Sequence, residues 1–139
     1  MLSLVFIMAL YLALVGWLTS FVAVAGNTRW LLVLPGAWVL VEWLRGWFMT
    51  GFPWLSLGYS QTDSSLAGLS PLIGVYGVSW AVAFSAALLV GLLFDKVGRV
   101  FYLSMLVLLW VFAAVADVIQ WTSPSGAPIT VALLQGNIP

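Results

Sequence analysis

The chain has 139 residues, of which 64% are hydrophobic and 6% charged, with four Lys or Arg against four Asp or Glu for a net charge of zero. Too little polar surface is available to cover a soluble globule, and a mean hydropathy of +1.17 leaves too much apolar area for a disordered chain. Four basic residues without a run argue against nucleic acid as a partner, so the composition is that of an integral membrane protein.

The charges divide the chain into spans. Leu2 to Ala25 is 24 residues without a charge; at about 1.5 Å per residue this reaches about 36 Å, enough to cross a ~30 Å hydrocarbon core. Gly26 to Arg29 is a short polar turn. Leu31 to Phe48 is a second apolar stretch, with Glu42 and Arg45 toward its far end. Leu72 to Phe94 is uncharged throughout, Asp95 to Arg99 is a second short turn, and Val100 to Gln120 is interrupted late by Asp117. The expected fold is an all-α membrane protein with four transmembrane helices, at about 2–25, 31–48, 72–94 and 100–120, in a domain covering 1–121. Arg29, Lys96 and Arg99 lie in the two tight turns, so these turns are expected on the cytoplasmic side and the loop and tail outside. Met1 runs directly into apolar sequence without a basic segment, so a cleaved signal peptide is not expected.

Gly46 to Pro71 spans 26 residues, longer than an ordinary connection. It carries Trp47, Phe48, Phe52, Trp54 and Tyr59 but a single charge, Asp63, and its glycines and Pro53 would break a continuous helix. Two readings fit: an aromatic belt at the membrane interface, or a re-entrant segment shaping an opening for lipid. Glu42 and Arg45, three residues apart, can pair across one helical turn. Either they neutralise each other while Arg45 snorkels outward, or Arg45 meets a phosphate head group with Glu42 holding it. Asp117 is expected at a similar depth, in one outward polar layer with both. Gly74, Gly77 and Ser79 are spaced for close helix packing. Asp95, Lys96 and Arg99 read as solvated turn residues, and Trp17, Trp30, Trp110 and Trp121 as belt or core.

After the fourth span, residues 122–128 are a linker by composition. Ile129 to Leu134 is a β-branched apolar run that reads as a buried strand. One strand has nothing here to pair with, so 129–139 reads as the start of a soluble domain that these residues do not complete.

Several blocks together resemble bacterial apolipoprotein N-acyltransferase: Glu42-Trp43-Leu44-Arg45-Gly46-Trp47, Thr50-Gly51-Phe52-Pro53-Trp54, Gly58-Tyr59-Ser60-Gln61, Gly68-Leu69-Ser70-Pro71 and Gly74-Val75-Tyr76-Gly77-Val78-Ser79. Val131 to Ile138 resembles the opening strand of that family's nitrilase-like domain. The resemblance implies a larger multi-span enzyme of the bacterial inner membrane with a periplasmic nitrilase-like domain. It moves an acyl chain from a phospholipid to the amino group of a lipoprotein's diacylglyceryl-cysteine, through a thioester on an enzyme Cys assisted by a Glu and a Lys. The resemblance places that Glu, Lys and Cys in the nitrilase-like domain, so catalytic residues are not expected among these 139, which hold no Cys, and neither a metal nor a cofactor is implied. By the resemblance these are central spans of that enzyme, with an outer loop admitting acyl chains sideways. Glu42, Arg45, Trp47, Phe52, Pro53, Trp54, Tyr59 and Gln61 are the candidate substrate-binding residues, and the full-length parent is expected to be a monomer. The rival reading, a non-catalytic four-span subunit or transporter component, explains the composition but neither the terminal strand nor the aromatic loop.

Overall fold

A computed structural model describes residues 2–22, 26–48, 51, 54–127, 130–133 and 135. Four helices dominate: α1 (Leu2–Phe21), α2 (Leu34–Trp47), α3 (Ser70–Phe94) and α4 (Arg99–Asp117). Two short 3-10 turns, Leu57–Gln61 and Ser65–Leu69, lie in the long loop. The apolar side chains of α1 and α3 run all round the helix, as expected where most of the surface faces lipid.

Three stretches are long and apolar enough to cross a membrane: Leu4–Phe21, Ser65–Phe94 and Arg99–Asp117. The expected second span differs in construction. Its α-helical part, α2, has 14 residues, about 21 Å at 1.5 Å per residue and short of a full crossing. A π-helical turn, Arg29–Val33, runs directly into it, with Val33 and Leu34 both in the right-handed helical region. The cause is local. Pro35 occupies the first turn of α2, lacks an N–H to give back to the preceding turn, and crowds the carbonyl four residues earlier; the chain widens there instead of continuing as a regular helix.

α3 is also not uniform. Gly74, expected as a packing residue, has φ 64° and ψ −177° and kinks the helix near its loop end, a conformation open in practice to Gly alone. Ser79 does fill the packing role. It is fully buried, and its Oγ accepts the Gly58 N–H at 2.8 Å.

The layers follow chain order: α1 on α2, α2 on α3, α3 on α4, with both 3-10 turns folded back onto α3 and the second also onto α4. One core joins Leu66 and Leu69 of the loop to Val78 and Ala81 of α3 and Ala113 and Ala116 of α4. The other joins Val15 of α1 to Ala37 and Val41 of α2. Small residues carry the seams of the loop with α4 and with α3. A Cβ on Gly68 would lie 2.4 Å from the Asp117 backbone nitrogen, and one on Gly58 2.3 Å from the Val75 carbonyl oxygen. In a lipid solvent such close backbone approach supplies the dispersion contact that burial supplies in water.

The α3–α4 turn is more than a solvated connection. Asp95 Oδ1 accepts the Val97 and Gly98 N–H groups at 3.0 and 3.2 Å, and Oδ2 accepts the Tyr102 hydroxyl at 2.9 Å. The Gly98 N–H, followed by the Tyr102 hydroxyl, holds the Asp95 carboxyl below the ordinary carboxylate range. A depressed folded-state pKa adds stability above the unfolded value and loses it as pH falls through the folded value. The stability gap between the wild type and Asp95→Asn is therefore expected to stay constant from about pH 8 to about pH 5 and to close below about pH 4. Thermal unfolding in detergent across that range checks it.

The tail departs from expectation. Residues 130–133 adopt no regular secondary structure, Leu133 is 94% exposed, and no strand occurs among the described residues. An isolated strand gains no ladder hydrogen bonds, and nothing described here offers one. Residues 128, 129, 134 and 136–139 of the expected linker and strand lie outside the described residues.

Candidate functional site

Glu42 is the most deeply placed charge, 4% exposed on α2. Its Oε1 accepts the Trp38 Nε1–H at 2.8 Å and the Leu57 N–H at 2.7 Å. One bond runs along the helix to the residue four positions earlier; the other crosses to the first 3-10 turn and ties the loop to α2. Glu42 Oε2 is buried without a hydrogen-bond partner, and so are Nε and Nη2 of Arg45. The expected Glu42–Arg45 pairing is not seen: among the described residues no hydrogen bond joins them, and Oε1 of the carboxylate is taken by Trp38 and the loop backbone. Asp117 does not join them either. It is exposed at the end of α4, where its backbone packs on Gly68, and it is not among the residues that line the cavity with Glu42 and Arg45.

These two residues line a cavity of about 260 Å³ between α1 and α2. Met8, Tyr11, Leu12 and Val15 form the α1 wall, Trp38 and Val41 the α2 wall, and Leu55 reaches in from the loop. Leu55 has φ 67°, a left-handed conformation that costs a branched side chain of order 1–3 kcal/mol and persists only where its surroundings impose it. A largely apolar cavity holding a guanidinium with unused N–H donors suits an amphiphile with an anionic head. The planar fork can take two phosphate oxygens at once, and the alkyl walls can take a chain. The polar groups on its wall are the Tyr11 hydroxyl, the Glu42 carboxylate and the Arg45 guanidinium, a set suited to binding and orienting such a ligand.

The other expected site residues are dispersed. Tyr59 and Gln61 border a separate groove of about 250 Å³, with Gly58, Thr62, Ser70 and the Gly74 kink. The Gln61 amide is occupied locally: Nε2 donates to Ser60 Oγ at 2.9 Å, and Oε1 accepts from Ser64 Oγ at 2.8 Å. Trp54 is exposed, and Trp47, also exposed, stacks edge-on with Trp43 at 5.3 Å between ring centroids. Phe52 and Pro53 lie outside the described residues. Sequence reasoning missed Trp38, Leu55 and the α1 wall. Trp38 had a signal in its four-residue spacing to Glu42; Leu55 and Met8 had none, because their proximity depends on how the loop and α1 pack.

Residues 1–88 match the apolipoprotein N-acyltransferase N-terminal domain family. The chain is similar to the apolipoprotein N-acyltransferase of Methylococcus capsulatus, 48% identical over 136 residues that cover 95% of this chain and 27% of that protein. It is similarly related to those of Nitrosomonas europaea, 46% identical over 133 residues with 95% and 27% covered, and Chromobacterium violaceum, 49% identical over 135 residues with 94% and 26% covered. The chain therefore spans about a quarter of the length of these relatives.

Proposed function

This chain belongs to the apolipoprotein N-acyltransferase family, and from that premise we propose that it is a membrane portion of an enzyme that moves an acyl chain from phospholipid to the diacylglyceryl-cysteine of lipoproteins. Residues 29–47, the π turn and α2 together, act as a fourth span, and 1–121 form the membrane domain. Residues 122–128 are the linker and 129–139 the opening of a nitrilase-like domain. The long loop and the tail face the periplasmic side of the bacterial inner membrane, and the tight turns carrying Arg29, Lys96 and Arg99 face the cytoplasm.

The observation that carries this reading is the half-buried Arg45, which lines a largely apolar cavity and whose Nε and Nη2 are buried without hydrogen-bond partners. A buried unpaired charge is destabilising, and a site retains one where a ligand completes it. Arg45 takes the phosphate of the acyl donor. Glu42, through Leu57, holds the loop that closes the cavity. Trp47 and Trp54, both exposed, and Tyr59 at the separate groove offer apolar surface to acyl chains arriving from the bilayer, a role that the family resemblance extends to Phe52 and Pro53. Thioester chemistry needs a Cys, and these 139 residues have none. The chain alone is therefore expected to form no acyl-thioester with phospholipid; a hydroxylamine-sensitive acyl adduct on it would contradict this.

The test of the Arg45 assignment is Arg45→Ala in the full natural protein. Loss of charge-assisted hydrogen bonds to phosphate should lower acyl transfer about 10- to 100-fold at unchanged protein level, and Arg45→Lys should recover part of it. Unchanged transfer in Arg45→Ala would remove the head-group role.

A further inference from the structure

The cavity between α1 and α2 carries one polar group that the head-group reading does not use, the hydroxyl of Tyr11. Tyr11 lies about 14 Å from either end of α1, away from the interface where a tyrosine hydroxyl meets water. No described residue takes its hydrogen bond: Glu42 Oε1 is occupied by Trp38 and Leu57, and Oε2 has no partner. Resting on the head-group reading of Arg45, we propose that the Tyr11 hydroxyl donates to an ester carbonyl of the phospholipid whose phosphate Arg45 takes, so that the site holds ester-linked lipid in preference to ether-linked lipid.

Three observations support it. The first is depth. α1 and α2 are joined by a short connection and pack antiparallel, with Val15 against Ala37 and Val41. Tyr11 stands one turn before Val15, which puts it level with the α2 turn from Val41 to Arg45. The second is the order of polarity. Arg45 is the α2 residue of this cavity nearest the loop, Tyr11 stands within about one turn of its level, and Val15 and Trp38 lie beyond. Phosphate, ester and alkyl chain follow one another in that order along a phospholipid. The third is the setting of the hydroxyl. Its neighbours on the α1 wall, Met8, Leu12 and Val15, are apolar, so it is a single neutral donor in an alkyl surface. Its complement is a neutral acceptor in an otherwise apolar part of a ligand, as an ester carbonyl is, whereas a phosphate is drawn to the guanidinium. An ether oxygen is a poorer acceptor, and a hydroxyl left unpaired in such surroundings is costly.

The experiment uses the full natural protein, stripped of lipid in detergent, with its thiols alkylated so that a bound ester is held and not consumed. It is titrated with two phosphatidylglycerols alike in head group and chains, one ester-linked and one ether-linked, and bound lipid is counted by native mass spectrometry. The wild type should retain the ester form about fivefold better, and Tyr11→Phe should retain both forms at the ether level. Because no described group takes the hydroxyl, Tyr11→Phe should unfold at the wild-type temperature and leave hydrogen exchange at residues 54–61 unchanged. Arg45→Ala should weaken retention of both forms alike. If it does so while the wild type holds ester and ether equally, the Tyr11 role is overturned and the head-group role stands. If it leaves both unchanged, the head-group role fails and the Tyr11 role with it. A preference for ester that survives in Tyr11→Phe would also overturn the proposal. So would faster exchange at 54–61 in that variant, which would show the hydroxyl serving Glu42 and the loop.

Discussion

Gly68→Ala is expected to lower stability by about 3 kcal/mol, the upper end of the range for overpacked sites. The added Cβ would meet the Asp117 nitrogen at 2.4 Å, the Asp117 Cα at 2.5 Å and the Ala113 carbonyl oxygen at 2.6 Å. All three are backbone atoms of α4, so none can rotate aside as a flexible side chain would. Relief requires the second 3-10 turn to lift from α4, which opens the core of Leu66, Leu69, Val78, Ala81, Ala113 and Ala116. Gly16→Ala is the control. Nothing lies within 4 Å of its would-be Cβ in α1, so the substitution gains helix propensity of up to about 1 kcal/mol. Detergent unfolding of the two variants should therefore move in opposite directions. A Gly68→Ala protein as stable as the wild type would mean that the loop does not pack on α4 as described.

The second large effect concerns Glu42. Glu42→Leu deletes the acceptor of two N–H groups, Trp38 Nε1 and Leu57 N. Each part-buried donor left unsatisfied costs about 1–3 kcal/mol. The loss should fall on the loop, because Leu57 loses its bond to α2 while α2 keeps its own backbone bonds. Glu42→Gln retains an acceptor oxygen at the same reach, and should hold the loop with a change of within about 1 kcal/mol. Hydrogen exchange of residues 54–61 separates the variants: faster by at least about tenfold in Glu42→Leu and near wild type in Glu42→Gln. Equal protection in both would show that Glu42 does not hold the loop. Equal acceleration in both would show that the negative charge, rather than an acceptor oxygen, is what matters.

The helices were legible because charge is so scarce that each turn stands out. Asp95 to Arg99 and Gly26 to Arg29 mark two ends where the described helices begin or stop nearby. Pro35 carried a signal that the expected continuous span at 31–48 did not use: a Pro inside an apolar run implies a discontinuity, and the π turn stands directly before it. The partner of Glu42 was not legible. An i, i+3 cation is the obvious local partner for a carboxylate, yet Glu42 bonds to a backbone N–H 15 residues away, and no periodicity encodes how a loop folds back. The same holds for Gly58 and Gly68. Both looked like helix breakers in an irregular segment, whereas their role is to let backbone touch backbone. The pattern of alternation and branching at 129–134 speaks for a strand, but a strand is completed by its neighbours, and residues 130–133 have none among the described residues.

The central claim is that the chain is embedded in lipid with its aromatic loop on one face and its cationic turns on the other. Single-cysteine labelling tests it most directly, because the chain has no native Cys to interfere. Asp63 in the loop and Val97 in the α3–α4 turn are both exposed. In spheroplasts a membrane-impermeant maleimide should label Asp63→Cys at once and Val97→Cys only after the membrane is permeabilised. Labelling of both before permeabilisation, or of Val97→Cys alone, would contradict the account.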